Sequence, residues 1–297
     1  MTEARSENQA LLLLRTMRPG QWIKNLVVFA GVIFARQLDD PPSVGIAVAA
    51  FCVFCGLSSA VYIVNDLADA EHDSRHPLKR HRPLASGTLR RGNAAAAAIV
   101  LGVVGLGAAF WLGWAFGLVA LSYAIVSLAY SLSLQRVVIL DAFCVASGFV
   151  LRALGGAVVI EVAISEWLLV CTILLALFLA LSKRRHELVL LREEAPAHRD
   201  ILAHYTPRLL DQMIAVVTSS TVMGYCLYTM WPDTVEKFGT TRLIYTIPFV
   251  LFGVFRYLYL VHRRDAGGRP ERVLLTDPPL LIDVVCWIVA VLVILYA

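Results

Sequence analysis

The sequence predicts an all-α, polytopic membrane protein built as a bundle of about nine transmembrane helices. Hydrophobic residues make up 59% of its 297 residues, charged residues make up only 16%, and the mean hydropathy is +0.71. This composition is typical of membrane proteins and not of soluble enzymes. No alternating pattern of a β-barrel is present, and a helix pairs all of its backbone polar groups within lipid. The expected architecture is therefore a helical bundle.

Each predicted span is an apolar segment of about the 20 residues that a helix needs to cross a bilayer. The nine segments are residues 22–38, 44–66, 93–112, 114–132, 138–160, 165–182, 212–231, 243–261 and 279–297. The first is the weakest, because Lys24 and Asn25 interrupt its beginning. No low-complexity segment or long linker divides the chain, so we expect one integral domain over residues 1–297.

The distribution of positive charge predicts the orientation. With the N-terminus in the cytoplasm, 21 of the 26 lysine and arginine residues fall on the inner side. Such an excess in cytoplasmic loops is the usual determinant of topology. We expect a multi-pass protein of the inner (plasma) membrane whose loops 67–92, 183–210 and 262–278 cap a cytoplasmic active site. A homo-oligomer is compatible with the sequence, and no nucleic-acid partner is expected.

The segment NDLADAEHD, residues 65–73, carries the strongest chemical signal. On a helix, its polar residues share one face: Asn65, Asp66, Asp69 and Asp73. Carboxylates this close repel each other unless a cation joins them, and oxygen ligands suit Mg²⁺, Mn²⁺ or Ca²⁺. We predict a Mg²⁺ site, with Mn²⁺ as an alternative, in which the three aspartates are catalytic. The competing interpretation is a solvated helix end with scattered charge.

Three basic groups are predicted to lie at the same membrane face. They are Arg18 and Lys24 with Asn25 before the first span, Lys79 and Arg82 after the aspartates, and Lys183 and Arg184 with Glu187 at the end of the sixth span. Any single one could equally anchor lipid headgroups. Together with a metal held by carboxylates, however, they make a clamp for a diphosphate.

Several polar residues lie within predicted spans. Arg152 lies in the middle of an apolar helix, where a charge is costly and normally faces a partner or a polar cavity. Asp141 in the same helix is a candidate partner or ligand, or a simple interfacial residue. Arg256 receives the same interpretation as Arg152. Tyr123 and Tyr130 are interpreted as packing aromatics. The six cysteines all lie in apolar segments, so no disulfide is expected.

The sequence resembles the UbiA superfamily of intramembrane prenyltransferases. NDLADAEHD matches that family's first Asp-rich motif, N-D-x-x-D-x-x-x-D, and the number of predicted spans agrees. The resemblance implies that Mg²⁺ held by two Asp-rich motifs binds an isoprenyl diphosphate. The usual second motif, D-x-x-x-D, is missing, because the corresponding residues 182–188 read SKRRHEL with the single carboxylate Glu187.

This basic replacement is similar to one branch of the superfamily, the decaprenyl-phosphate phosphoribosyltransferases. The similarity includes RPGQWIKN, SAVYIVNDLADAEHDSRHPLKRHRPLASG, ASGFVLRALGG and SKRRHEL. It implies Mg²⁺-dependent transfer of 5-phosphoribose from phosphoribosyl pyrophosphate to a polyprenyl (decaprenyl-type) phosphate, with release of pyrophosphate, as a step in cell-envelope biosynthesis.

The resemblance also implies roles for individual residues. Asn65, Asp66, Asp69 and Asp73 would hold Mg²⁺, and Lys24, Lys79, Arg82, Lys183 and Arg184 would bind phosphates. The remaining substrate-binding candidates are Arg18, Asn25, Asp141, Arg152, Glu187 and Arg256.

Two other functions stay open at the level of sequence. The first is a prenyltransferase that moves an isoprenyl group from a polyprenyl diphosphate to an aromatic or quinone acceptor. The second is a transporter or lipid-binding bundle, which the absence of an internal repeat disfavours.

Overall fold

A computed structural model describes residues 8–74, 79–163, 165–191, 200–263, 273 and 276–296. Its eleven α-helices are α1 (Gln9–Met17), α2 (Ala30–Phe34), α3 (Pro41–Ser74), α4 (Arg91–Leu112), α5 (Trp114–Leu132), α6 (Leu140–Val158), α7 (Glu166–Leu191), α8 (Pro207–Met230), α9 (Pro232–Phe238), α10 (Ile247–Arg263) and α11 (Pro278–Tyr296). Within the described residues, eight helical segments are long and apolar enough to cross a membrane. The predicted all-α membrane bundle is confirmed.

The first predicted span, 22–38, is not one α-helix. The chain forms a 3₁₀ helix over Pro19–Phe29 and continues directly into the short α2. Because a 3₁₀ helix rises about 2.0 Å per residue, the two elements together cover roughly 30 Å, the thickness of the hydrocarbon core. This segment has the length of a ninth crossing, next to the eight longer helical segments. It packs against α3 and α6, inside the bundle.

Helix α3 is longer than its apolar segment. Its 34 residues span roughly 50 Å, well beyond the hydrocarbon core. No proline or glycine interrupts the sequence between Val64 and Ser74, so the helix continues through the acidic motif. The motif is therefore helical, as predicted. The following residues 75–78 lie outside the described part of the chain.

Successive long helices run in opposite directions and pack against one another. This arrangement brings the C-terminal ends of α3, α5, α7 and α10 together with the N-terminal ends of α4, α6, α8 and α11. We call this the polar end of the bundle. Helix α6 contacts both α3 and α7, so it lies between the two helices that carry the predicted acidic and basic groups.

The predicted cytoplasmic loops all emerge at the polar end. In loop 67–92, Leu84 and Leu89 are buried against α1, α3 and α4, so the described part of this loop is folded onto the bundle. In loop 183–210, a 3₁₀ turn at Asp200–His204 buries Ile201 and Leu202. The remaining parts of these loops, and most of loop 262–278, lie outside the described residues, so capping of a site by them stays a prediction.

Candidate active site

The first ionic group lies at the polar end of α3. Asp66 and Asp73 are buried, and their spacing of seven residues puts them on one face of the helix. Both accept hydrogen bonds from Arg82 Nη1, at 3.2 and 2.5 Å respectively. Arg18, at the end of α1, also donates to Asp66 Oδ1. Lys79 Nζ lies 3.6 Å from Asp73 Oδ1. We call these five residues the α3 ion cluster; the structure brings together acidic and basic residues that were predicted separately.

The other two predicted metal ligands form a pair of their own. Asn65 Nδ2 donates to Asp69 Oδ2 at 3.1 Å. Among the described residues, no three histidine, cysteine or acidic side chains are gathered closely enough to form a metal-binding group. The four residues predicted to bind one ion are thus arranged as two pairs on neighbouring parts of the same helical face.

The donor set nevertheless fits a hard divalent cation. Asp66 and Asp73 direct carboxylate oxygens at the same guanidinium nitrogen, so their negative charges converge on one cationic position. Asp73 Oδ1 is buried and accepts no hydrogen bond from the described residues. Oxygen ligands of this kind are those that Mg²⁺ prefers. The assignment of Asn65, Asp66, Asp69 and Asp73 to a metal stays a prediction.

The second ionic group is centred on Arg184, near the polar end of α7. Its side chain is 2% exposed and donates to Asp141 Oδ2, to Glu187 Oε2 at 2.5 Å and to Tyr130 Oη at 2.9 Å. Asp141, at the start of α6, is fully buried. Together with Lys183, whose Nζ lies 3.9 Å from Glu187 Oε1, and with Tyr205, these residues form what we call the α7 ion cluster.

Tyr205 joins this cluster to the start of α6. Its hydroxyl donates to Asp141 Oδ1 at 2.9 Å and accepts the backbone N–H of Ile139 at 2.7 Å. Ile139 has a φ of +69°, a region that β-branched residues seldom adopt, and such a conformation persists where neighbouring contacts enforce it. Burial raises the pKa of the Tyr205 phenol to about 12, so the hydroxyl stays protonated at neutral pH and keeps its hydrogen bond to Asp141.

Arg152 lies deeper in the bundle than either cluster. It is eleven residues beyond Asp141 on α6, roughly 16 Å along the helix axis. Its guanidinium donates to Asn25 Oδ1 at 2.5 Å, to the Gly148 carbonyl at 2.8 Å and to Tyr123 Oη at 2.7 Å. The prediction that this buried charge has polar partners is confirmed, and these partners are neutral.

Three further predicted residues have distinct surroundings. Arg256 forms a two-point ion pair with Asp277, at 3.0 and 2.8 Å. Lys24 is half-buried in the 3₁₀ helix, and Lys183 is 43% exposed near the end of α7.

The structure thus groups Arg18, Lys79 and Arg82 with the aspartates of α3, and groups Lys183, Arg184 and Glu187 with Asp141. Arg152 and Arg256 belong to neither cluster.

Some interpretations from sequence are corrected by these contacts. For Asp141 the sequence left open a partner, a ligand or an interfacial residue, and the structure pairs it with Arg184 and not with Arg152 of its own helix. Tyr123 and Tyr130 are hydrogen-bond partners of buried arginines, which the interpretation as packing aromatics missed. Tyr205 was not identified at all. Its signal was weak, because a single tyrosine in a polar loop resembles any other.

The fold and these contacts define an integral membrane protein with two ionic clusters at one end of a helical bundle. The chain belongs to the UbiA prenyltransferase family, whose profile matches residues 25–275. All six cysteines are free thiols.

Comparison with individual proteins extends this result. The chain is 32% identical to the decaprenyl-phosphate phosphoribosyltransferase of Corynebacterium glutamicum, over 98% of this chain and 88% of that protein. It is also 32% identical to the decaprenyl-phosphate phosphoribosyltransferase of Mycobacterium tuberculosis, over 94% and 92% of the two chains. A UbiA homologue from Archaeoglobus fulgidus, solved with GPP and Mg²⁺, has the same fold, with a TM-score of 0.73 at 17% identity over 96% of this chain and 100% of that one.

Proposed function

We propose that this protein transfers 5-phosphoribose from phosphoribosyl pyrophosphate to a polyprenyl phosphate of the decaprenyl type, with Mg²⁺ as cofactor and pyrophosphate as the second product. One observation carries the proposal. The similarity to two decaprenyl-phosphate phosphoribosyltransferases extends over nearly the whole chain.

The number of cations at the polar end suits these substrates. The donor carries a diphosphate and a separate 5-phosphate, and the acceptor adds a further phosphate. Basic side chains bind such groups through charge-assisted hydrogen bonds. We assign this role to Arg18, Lys79, Arg82 and Lys183 at the polar end, and to Lys24, which lies deeper in the 3₁₀ helix beside Asn25. An isoprenyl diphosphate, with one charged head and an apolar tail, would need fewer of them.

The α3 ion cluster explains how the free protein tolerates so many charges. Arg82 and Arg18 neutralise Asp66, and Arg82 with Lys79 neutralises Asp73. Arg18 and Arg82 are 31% and 29% exposed, so phosphate oxygens can reach them. When substrate binds, these side chains exchange a carboxylate for a phosphate and leave the aspartates to the cation.

Asn65, Asp66, Asp69 and Asp73 would hold the Mg²⁺, which neutralises charge that develops on a departing pyrophosphate. The basic residues of the polar end stabilise the same oxygens. The C1–O bond of the donor breaks, and pyrophosphate leaves with the bonding electrons. An oxygen of the lipid phosphate then forms the new bond to C1. A phosphate monoester is already anionic, so the reaction requires no general base.

The orientation is part of the proposal. The polar end of the bundle faces the cytoplasm, where the excess of lysine and arginine is expected. The soluble donor then approaches from the cytoplasm, while the lipid acceptor enters from the membrane.

A labelled substrate tests the reaction. Purified protein is incubated with Mg²⁺, decaprenyl phosphate and phosphoribosyl pyrophosphate labelled in the ribose, and the lipids are extracted and weighed by mass spectrometry. We expect the label in the lipid fraction, with a mass increase of one phosphoribosyl group. A parallel reaction uses a labelled isoprenyl diphosphate and an aromatic acceptor.

The second reaction addresses the alternative function. A prenyltransferase is supported by the match of the chain to the UbiA prenyltransferase family. Prenylation of the aromatic acceptor, with no label transferred from the ribose donor, would replace the proposed function by this alternative.

A further inference from the structure

We propose that Glu187 recognises the ribose hydroxyls of the phosphoribosyl donor, and that Arg184, Asp141 and Tyr205 hold its carboxylate in place. This inference rests on the proposed function and assigns separate roles within the α7 ion cluster. It also gives Arg184 a different role from the phosphate contact that the sequence predicts for it.

Arg184 is enclosed by protein. Its side chain is 2% exposed, and all three nitrogens of the guanidinium donate to partners: Asp141, Glu187 and Tyr130. A phosphate could reach it only by displacing one of these partners, and displacing Asp141 would leave a fully buried carboxylate without its cation. Arg184 is therefore a positioning residue that acts on substrate through Glu187.

Asp141 fixes Arg184 from the opposite side. It is fully buried, with Oδ2 accepting from Arg184 and Oδ1 accepting from the Tyr205 hydroxyl at 2.9 Å. Tyr205 is in turn held by the backbone N–H of Ile139 at 2.7 Å. Buried hydrogen-bond networks whose members are satisfied are rigid. A continuous chain of hydrogen bonds thus runs from the start of α6 to the end of α7.

Glu187 is the carboxylate of this network that reaches solvent. Its side chain is 25% exposed, whereas Asp141 is fully buried. Arg184 Nη1 contacts Oε2 at 2.5 Å, and Lys183 Nζ lies 3.9 Å from Oε1. These two cations offset the repulsion between Glu187 and substrate phosphates. A carboxylate has about four lone-pair positions, so it can accept hydroxyls in addition to its bond with Arg184.

The chemistry of the donor indicates which of its groups Glu187 binds. In ionised phosphoribosyl pyrophosphate, the two ribose hydroxyls are the hydrogen-bond donors and the phosphates are acceptors. Acidic side chains bind ribose hydroxyls in this way in dinucleotide-binding folds. Glu187 lies late in α7, and the aspartates of the α3 ion cluster lie late in α3, so both groups are at the polar end, where the diphosphate is proposed to bind.

The first test measures recognition of the hydroxyls by Glu187→Gln. Purified full-length wild type and variant are assayed with Mg²⁺, decaprenyl phosphate and three donors: phosphoribosyl pyrophosphate and its analogues lacking the 2- or the 3-hydroxyl. We expect the wild type to prefer the natural donor over at least one analogue by roughly tenfold to a hundredfold in kcat/KM, the range for a hydrogen bond to a charged group.

In Glu187→Gln this preference should fall to a few-fold, and KM for the natural donor should rise more than kcat falls. The glutamine oxygen can still accept from Arg184, but its amide group then presents a donor to the ribose. The preference is a ratio measured on one preparation, so a change in the folded fraction of the variant cancels.

The second test addresses the positioning residues. Tyr205→Phe removes the hydroxyl that holds Asp141, and we expect it to lower the same preference although Glu187 is intact. Tyr257→Phe is the matched control, because Tyr257 is a second buried tyrosine of the same apolar cluster. The control should keep the preference of the wild type.

The outcomes separate the two proposals. A wild type that transfers phosphoribose but prefers the natural donor over neither analogue overturns the role of Glu187 and leaves the proposed function intact. The same conclusion follows if Glu187→Gln keeps the full preference. If Tyr205→Phe and Tyr257→Phe behave alike, the positioning role of Tyr205 is overturned. A wild type that transfers no phosphoribose overturns both the function and the inference.

Discussion

Arginine side chains in this bundle have two kinds of surroundings. Arg18 and Arg82 are about 30% exposed and pair with carboxylates at the mouth of the bundle, so their partners can change when a substrate arrives. Arg184 and Arg152 are buried, and their donors bind groups of their own helix and of neighbouring elements. A positive charge in the first setting is suited to binding, and a charge in the second is suited to fixing geometry.

The paired aspartates lead to a prediction for Asp66→Asn. The change keeps the shape of the side chain but removes the charge that Arg18 and Arg82 neutralise, and with it a proposed metal ligand. We expect kcat/KM for phosphoribosyl transfer to fall by roughly a hundredfold or more. The melting temperature should change little, because asparagine avoids the cost of burying a charged group at this 3% exposed position, and the partly exposed Arg18 and Arg82 keep contact with water.

Glu71→Gln is the control for this variant. Glu71 is an exposed carboxylate on the same helix, away from the face that carries Asp66. Initial rates with phosphoribosyl pyrophosphate and decaprenyl phosphate should be unchanged by this substitution. Full activity in both Asp66→Asn and Asp69→Asn would remove the proposed metal site.

At the scale of elements, the 3₁₀ crossing depends on a close approach to α6. The backbone of Gly156 on α6 lies directly against Val28, and Gly31 of α2 lies against Gly156. Side chains larger than hydrogen would separate these elements. The same close packing of the 3₁₀ helix against α6 brings Asn25 within hydrogen-bond distance of Arg152. Backbone packing therefore also determines a polar contact inside the bundle.

The close contact between the backbones of Gly156 and Val28 predicts that Gly156→Ala is destabilising. A Cβ atom at Gly156 would lie 1.9 Å from the Val28 carbonyl oxygen, and a backbone atom cannot rotate away as a side chain can. Overpacking of this kind costs about 1–3 kcal/mol or more. We expect a lower melting temperature in detergent, or little folded protein.

Gly102→Ala provides the matched comparison. It makes the same change in the middle of α4, where a Cβ would meet no atom within 4 Å. Because alanine favours a helix by up to about 1 kcal/mol over glycine, this variant should be at least as stable as the wild type. Equal melting temperatures for the two variants would contradict the close approach of α6 and the 3₁₀ helix.

At the scale of the whole molecule, the two ends of the described chain lie at opposite ends of the bundle. Arg18, just after α1, reaches Asp66 at the polar end. The last turn of α11 lies at the other end, where the Tyr296 hydroxyl donates to the Ile33 carbonyl and Arg36 donates to the Leu295 carbonyl. Eight long helical segments and the 3₁₀ crossing, an odd number, account for this arrangement.

The proposed orientation is tested with fusions to the two termini of the full-length protein. An N-terminal green fluorescent protein should fluoresce, because the polar end is proposed to face the cytoplasm. At the C-terminus, green fluorescent protein should be dark and alkaline phosphatase active, since its disulfides form only outside the cytoplasm. The reversed pattern would place the polar end outside and contradict the proposal.

The sequence by itself determined the membrane bundle, the positions of its spans and the helical acidic motif. These features depend on local properties: runs of apolar residues, the absence of helix breakers between Val64 and Ser74, and the spacing of aspartates along one helix. The concentration of charge at one end also followed from the sequence, because each span reverses the direction of the chain.

Only the tertiary structure decided which charged groups meet. Asp141 pairs with Arg184 on the next helix, Arg82 joins two aspartates, and Tyr205 reaches Asp141 across 64 residues. These contacts depend on the rotation of each helix about its axis and on the close packing of its neighbours. Neither quantity is encoded in a local pattern. The sequence could therefore predict that a buried charge has a polar partner, but it could not identify that partner.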